Sequence, residues 1–584
     1  MTAVSLPQND AESDKRVKAL VAARGEYFYT FDKYPSLPMA AKLPKHESPP
    51  AEWSAVVNGA LKVAVSNALG ADKEHGSFTG GLSARAHEIA AAMADFARHH
   101  SVMDVVNDLS GLILAGDMVG RASSVDDYRE FFRTIPTPAL ADHIHDDAFF
   151  SRKAVCGSNP QILARVREAH QVHAVTDGHL AQVSPGDSIE RALAEGRLFI
   201  ADYAMLDSLD PNTLGGHPRY VLAPRVYYVA MPKDRSLRVF AIELERTPGS
   251  PVFSTGDGWG WEIAKTHASV ADTIAGALYY HHARAHIVAE PMVLSLHRHL
   301  ADNHPLSILM KPHFMGTLYI NEIGFKTVFA PHGALDWFTG ASRDSVRQMI
   351  VGSVQSFDFD RSVLREELNS RGVGDAELLP DYPFRDDGVL VWDALASWVG
   401  EYVALYYSDD AAVLADVELQ AWLAEVTAMD AGGLKGMGQS GKIRDRSYLI
   451  KMVTQIIFSG SAMHAAMNFP VKQEMAFVPN SPWAAYGDVP RKADGWSEQD
   501  WLNVLPPMGQ AQRQFAVAHL LGESRYGFLG DYADTTFSDS RVAEPLARFR
   551  ASLETVEATI TERNLSRPDY IHMMPSRVPP SINI

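Results

Sequence analysis

The stretch His281-His282-Ala283-Arg284-Ala285-His286-Ile287-Val288-Ala289-Glu290-Pro291 sets His281 and His286 five residues apart in an apolar segment without a turn signal. In a regular α-helix five residues turn about 500°, which leaves the two side chains about 140° apart. A π-bulge, with its i→i+5 bond, brings both onto one side, and such bulges collect at functional sites. Far downstream, Ser461-Ala462-Met463-His464-Ala465-Ala466-Met467-Asn468-Phe469 holds a second pair. His464 and Asn468 are four apart, so an ordinary helix already puts them on one face. Three imidazoles and an amide oxygen suit a borderline metal such as iron, which tolerates mixed nitrogen and oxygen ligands. The spacing alone leaves the plainer reading open, in which each histidine is packed and hydrogen-bonded inside a helical core.

The rest of the chain reads as a mainly α protein. Residues 1 to about 50 are polar and proline-dotted, as expected of an arm laid over the surface. From 51 to 115 the pattern turns helical, with Ala-rich stretches such as Ala84-Arg85-Ala86-His87-Glu88-Ile89-Ala90. Asp126 to Phe132 reads as a short helix stopped by Pro136 and Pro138. Residues 186–258 differ: Leu198 to Tyr203, Val226 to Ala230 and Leu237 to Leu244 are β-like, with a hairpin loop at Pro232 to Ser236. Long helices return from 260 to 323, 390 to 429, 445 to 469, 500 to 522 and 542 to 564, and a proline-bearing tail follows. The division expected is an arm with a helical extension over 1–120, packed on a catalytic body over 121–584.

At 584 residues the chain can bury a large core. Its hydrophobic content of 46% and charged content of 21% are those of a soluble globular protein. The net charge of −18 argues against nucleic acid as a main partner. The single cysteine, Cys156, rules out a disulfide framework and a cysteine-built metal site. No basic-then-apolar start is seen, so no signal peptide is read and a cytoplasmic location is expected. No run reads as a transmembrane helix; the closest, Met452 to Phe469, carries too many polar groups and reads as a buried core helix.

From Trp261-Glu262-Ile263-Ala264-Lys265 the pattern continues through His281, His286, Glu290-Pro291, His297-Arg298-His299-Leu300, His304-Pro305 and Pro312-His313 to Ile320-Asn321. Gly157-Ser158-Asn159-Pro160, Arg197 to Tyr203, Ala223-Pro224-Arg225 and Tyr382 to Gly388 accompany it. Over residues 120–584 this set resembles the lipoxygenases, of the bacterial type without an amino-terminal C2-like β-barrel. The resemblance implies one non-heme iron cycling between Fe2+ and Fe3+, held by His281, His286 and His464, with Asn468 as a weaker ligand and the main-chain carboxylate of Ile584 as the fifth. The ligand set does not choose between iron and manganese. The implied reaction inserts O2 into polyunsaturated fatty acids of the linoleic or arachidonic type. A hydrogen atom is abstracted from the bis-allylic methylene, hydroperoxides form, and no catalytic group is needed beyond the metal-bound hydroxide. Gly324 matches the position where glycine accompanies R products and alanine S products, so R chirality is expected; a close backbone approach is the alternative role for this glycine. Val328 and one of Leu520 or Leu521 match an aliphatic clamp on the reacting carbon, which ordinary core packing explains equally well.

The chain departs from its relatives in three places. Gly276 stands where most members have a histidine, and Ala277 and Val471 stand where plant members have glutamines linking the substrate cavity to the ligands. A different network around the ligands is expected. Glu290 and His282 are read as making a helix salt bridge or a surface contact. A monomer is expected, and any peripheral membrane contact must come from a surface other than the missing barrel. The alternatives are a fatty-acid hydroperoxide isomerase on the same site and a lipid-binding relative without activity.

Overall fold

The computed structural model describes residues 3–70 and 120–584. Its axis is one unbroken helix made of an α piece, Trp259–Ile274, a π piece, Ala275–Ile287, and a second α piece, Val288–His299. The first piece is buried nearly all round, with Ile263, Ala264, Ala268, Val270, Ala271 and Ile274 in the core and polar side chains such as Lys265, Thr266 and His267 enclosed as well. Its start demands glycine at one point: a Cβ on Gly260 would sit 1.9 Å from the carbonyl oxygen of Ala493. The π geometry predicted from the His281–His286 spacing is present, but it spans 13 residues and not a single local bulge.

A second continuous helix crosses the first. It runs as Arg446–Phe458, then a π piece, Ser459–Met463, then His464–Asn468. The π turn before His464 is absent from the sequence expectation. One side chain there takes up a helix group: Ser461 Oγ donates to the Ile457 carbonyl at 2.5 Å. Such a local bond competes with the α-helical ladder.

The β region is a five-stranded antiparallel sheet in the order Leu163–Arg165, Leu198–Asp202, Arg225–Ala230, Leu237–Glu243, Val252–Ser254. The hairpin expected at Pro232 to Ser236 is there, and the sheet begins earlier than expected, at Leu163. Side chains alternate between two cores with the period of a strand. Phe199, Val226 and Tyr228 join the main core, while Ile200, Tyr227 and Val229 form a smaller one with Phe240.

The amino-terminal segment corrects the expectation of a surface arm. It contains a helix, Ser13–Arg24, and a short antiparallel pair, Tyr29–Thr30 with Met39–Ala40. Tyr27, Tyr34, Leu37, Met39, Ala40, Trp53 and Val57 are buried in the main core. Aromatic and aliphatic residues lie between the prolines, and burying each such side chain contributes about 1.5–3 kcal/mol. Of the helical stretch expected from 51 to 115, Ala51–Gly70 is a helix, and the Ala84 to Ala90 segment lies outside the described residues.

The helix expected over 500–522 is two helices, Glu498–Val504 and Met508–Glu523, because Pro506 and Pro507 cannot continue the ladder. The short helix at 126–132 is a 3₁₀ helix, Val125–Phe131. Among the described residues one helix, Pro383–Tyr406, is long and apolar enough by length and composition to cross a membrane, contrary to the sequence expectation. Its Val391, Leu395, Trp398, Val399 and Tyr402 are buried in the main core, Trp398 stacking on Phe549 with ring centroids 5.5 Å apart. Those contacts are those of a core helix.

Candidate metal centre

The π-helix and the His464 helix bring three imidazoles together. The Nε2 atoms of His281 and His286 stand 3.2 Å apart, and so do those of His286 and His464. One ligand nitrogen from each of the three lies within 4.8 Å of the others. Among the described residues this is the one group of three or more His, Cys, Asp or Glu side chains that could hold a metal ion. Burial keeps the rings neutral: it drives His281 and His464 well below the ordinary histidine value, with His286 adding to the effect, and pushes His286 down to about 4. Neutral imidazoles carry lone pairs, and lone pairs aimed at one point need a cation or a proton between them.

The tautomer of His286 is set from behind. Its Nδ1 donates to Asn321 Oδ1 at 2.9 Å. The amide of Asn321 is fixed that way round because its Nδ2 donates to the His286 carbonyl at 3.0 Å and to Glu290 Oε2 at 2.6 Å. With the proton on Nδ1, the Nε2 of His286 offers its lone pair to the other two rings. Two nitrogens bound about 2.1 Å from one ion at a right angle stand about 3 Å apart, which the two 3.2 Å separations match. The donor set therefore fits a metal ion.

Asn468 lies one turn beyond His464 and is buried; its Nδ2 donates to the Leu521 carbonyl at 3.2 Å, so the amide oxygen is the end left for a ligand role. Ile584 is buried in the main core, and the residues before it are tied down one after another. His313 Nδ1 donates to the Pro580 carbonyl at 2.8 Å, Ser581 Oγ donates to the Met315 carbonyl at 2.7 Å, and Thr317 Oγ1 donates to the Ile582 carbonyl at 3.1 Å. Trp53 Nε1 donates to the Asn583 carbonyl at 2.6 Å, and Asn583 Nδ2 donates to the Tyr526 carbonyl at 3.1 Å.

His282 and Glu290 differ from expectation. His282 is in neither a salt bridge nor a surface contact: its Nε2 lies 2.9 Å from Tyr34 Oη, and its ring stacks on Phe329 at 4.4 Å. Glu290 is fully buried and takes hydrogen bonds from the Ala40 amide at 2.7 Å and from Asn321. Burial pushes its carboxyl up to about 7. Asn321, Tyr34 and Trp53 were missed as site residues. Only Asn321 had a signal, as the last residue of the Ile320-Asn321 motif.

Gly324 lies on the helix Thr317–Thr327, where an added Cβ meets none of the described residues within 4 Å. A close backbone approach is therefore not what this glycine serves. Val328 is one turn further on, its amide donating to the Gly324 carbonyl at 2.8 Å. Val328, Leu520 and Leu521 are partly buried against the main core.

Gly276 has the opposite surroundings: a Cβ there would stand 2.9 Å from Asn159 Cβ. Asn159 fills the space and donates to Asp272 Oδ1 at 2.7 Å, an oxygen that Tyr203 Oη also reaches at 2.9 Å. Val471 packs with Ile135, Met475, Phe515 and Ala518. Asn159 and apolar side chains thus occupy the surroundings of Gly276 and Val471. Gly276→His is expected to destabilise the fold by about 1–3 kcal/mol through overpacking, read from chemical denaturation. Adding Asn159→Gly should recover part of the loss; no recovery would mean the clash lies elsewhere.

The sequence and the fold match a known group. The Lipoxygenase family profile matches residues 102–573. A linoleate 9/13-lipoxygenase of Pseudomonas aeruginosa is 33% identical over 643 aligned positions, covering 99% of this chain and 92% of that protein. A human hydroperoxide isomerase is 29% identical, over 82% of this chain and 67% of its own length. The crystal structure of a coral 8R-lipoxygenase superposes with a TM-score of 0.85 at 25% identity, covering all of this chain (100%) and 83% of that one. The chain belongs to the lipoxygenase family. It is a dioxygenase-type oxidoreductase, and that family implies a catalytic metal.

Proposed function

We propose that this lipoxygenase oxygenates polyunsaturated fatty acids of the linoleic or arachidonic type at the bis-allylic carbon, yielding hydroperoxides. The observation that carries the reading is the convergence of three neutral imidazole nitrogens in a buried π-helical crossing. His281, His286 and His464 would hold one non-heme iron, with the Asn468 amide oxygen and the Ile584 carboxylate completing the set. The metal, when bound, supplies the one-electron redox couple that removes the hydrogen atom. Asn321 keeps the His286 proton on Nδ1, and the bonds along residues 580–583 hold the tail in place. The linoleate-acting bacterial relative supports the substrate class.

Incubating the purified protein with linoleic and arachidonic acids in air, and following conjugated-diene absorbance with metal analysis, tests the reading. Diene formation by an iron-loaded protein is expected. Bound iron without a diene from either acid would overturn it. Consumption of an added fatty-acid hydroperoxide in place of diene formation would favour the isomerase, the activity of the human relative.

The open space at Gly324 supports O2 access at the end of the pentadiene that gives R products. Gly324→Ala is expected to shift the R:S ratio toward S by about tenfold, or about 1.4 kcal/mol between the competing transition states. Chiral chromatography of the products reads this directly. A parent enzyme giving mainly S product would remove the assignment.

A further inference from the structure

The segment between Tyr27 and Val57 touches the metal centre's supports at three separate points. Tyr34, fully buried, sets its hydroxyl 2.9 Å from Nε2 of His282, which lies in sequence between His281 and His286. The Ala40 amide donates to Glu290 Oε1 at 2.7 Å, and from there the chain of bonds runs through Asn321 to His286 Nδ1. Trp53, also buried, donates its indole N–H to the carbonyl of Asn583, the residue before Ile584. Lys33 braces the turn, donating to the Ala40 carbonyl at 2.7 Å and pairing with Glu322, next to Asn321.

We infer that this amino-terminal segment is a clasp for the metal centre, with Glu290 and Trp53 as positioning residues that act on His286 and on the carboxyl-terminal tail. The inference rests on the ligand set proposed above. The chemistry at Glu290 is directional. A carboxylate accepts on both oxygens, and here both face donors: the Ala40 amide on one side and the Asn321 amide group on the other. A glutamine of the same shape has one acceptor and one donor end. It could satisfy the Ala40 amide only by turning its NH2 toward Asn321. Asn321 would then have to flip, presenting its own NH2 to His286 Nδ1. That imidazole would move its proton to Nε2 and lose the lone pair it aims at His281 and His464. The Glu290 carboxylate is thus what keeps Asn321 and His286 in one order, and the Ala40 amide holds that carboxylate in place. At the other end, the Trp53 indole is one of five hydrogen bonds fixing residues 580–583, and it is the one donated to the main-chain carbonyl of the residue adjoining Ile584, whose side chain is held separately by the Tyr526 carbonyl.

A structural contact alone would change stability without changing the metal. The test is therefore made on the iron-loaded full-length protein with Glu290→Gln, Trp53→Phe and His286→Ala. It reads iron per chain, the rate of iron transfer to a strong chelator, the electron paramagnetic resonance spectrum of the ferric form, and the melting temperature. Partners behind metal ligands typically change metal affinity by about 10–100-fold when removed. Glu290→Gln and Trp53→Phe are each expected to release iron about tenfold faster and to alter the ferric spectrum. Parent-like release and spectra in both would overturn the clasp. Should either variant fold poorly, Tyr34→Phe removes one hydroxyl from the same clasp and is expected to alter the ferric spectrum; an unchanged spectrum there would count against it. Full iron content in His286→Ala would sink the ligand set itself, whereas iron loss in His286→Ala with parent-like Glu290→Gln and Trp53→Phe would sink only the clasp.

Discussion

Replacing His464 by alanine is expected to empty the metal centre and lower fatty-acid oxygenation on the order of 10³-fold, or about 4 kcal/mol in transition-state free energy. The size follows from the geometry. In the ligand set proposed above, His464 is the imidazole contributed by the second helix, and its Nε2 stands 3.2 Å from that of His286. Without it, the two remaining imidazoles both belong to the π-helix and approach an ion from one side. The fold should survive, because His464 Nδ1 has no hydrogen-bond partner to lose among the described residues. Alanine is also a good helix former in the His464–Asn468 turn. Metal per chain by mass spectrometry and initial diene formation are the measurements. The neighbour His282 is the control: its Nε2 is engaged by Tyr34, so His282→Ala should keep the parent metal stoichiometry. Parent metal content and rate in His464→Ala would rule out its ligand role.

The sequence made the centre of the molecule legible and its supports much less so. The i, i+5 spacing of His281 and His286 called for a π turn, because no α-helix aims them at one point, and the turn is there. The i, i+4 spacing of His464 and Asn468 needed only a helix, and the helix is there too. These are local relations, and local periodicity survives in a sequence. The second π piece, Ser459–Met463, had no paired residue to announce it. The clasp was illegible for another reason. Its decisive donor is the Ala40 main-chain amide, which any residue other than proline would supply. Its tryptophan meets the chain again 530 positions later. A polar, proline-dotted segment also reads as surface, although the aromatic residues between the prolines are what gets buried. At Gly276 the sequence showed which side chain was missing but not what fills the gap. Asn159, held by Asp272, does so from a distant loop.

Adding a single residue after Ile584 is the second change with a large expected effect. The extension turns the terminal carboxylate into a neutral peptide carbonyl and moves the negative charge one residue away, about 3.8 Å along the chain. A flexible tail could loop back and restore the contact, but this one is not free to do so. Pro580, Ser581, Ile582 and Asn583 each make a hydrogen bond to the body, through His313, Met315, Thr317, Trp53 and Tyr526. Ile584 itself is buried, at 7% exposure, so the added residue would have to enter the core or strip those bonds. An anionic oxygen donor stabilises the ferric form of an iron site relative to the ferrous form, and losing it shifts the redox balance on which hydrogen abstraction depends. The extended protein is expected to keep its fold, with a melting temperature within a few degrees of the parent, and to lose oxygenation on the order of 10³-fold. Ile584→Val keeps the carboxylate and most of the packing, at a cost of about 0.5–1.5 kcal/mol, and should stay active. Oxygenation at the parent rate by the extended chain would remove the Ile584 carboxylate from the ligand set while leaving the three histidines in place.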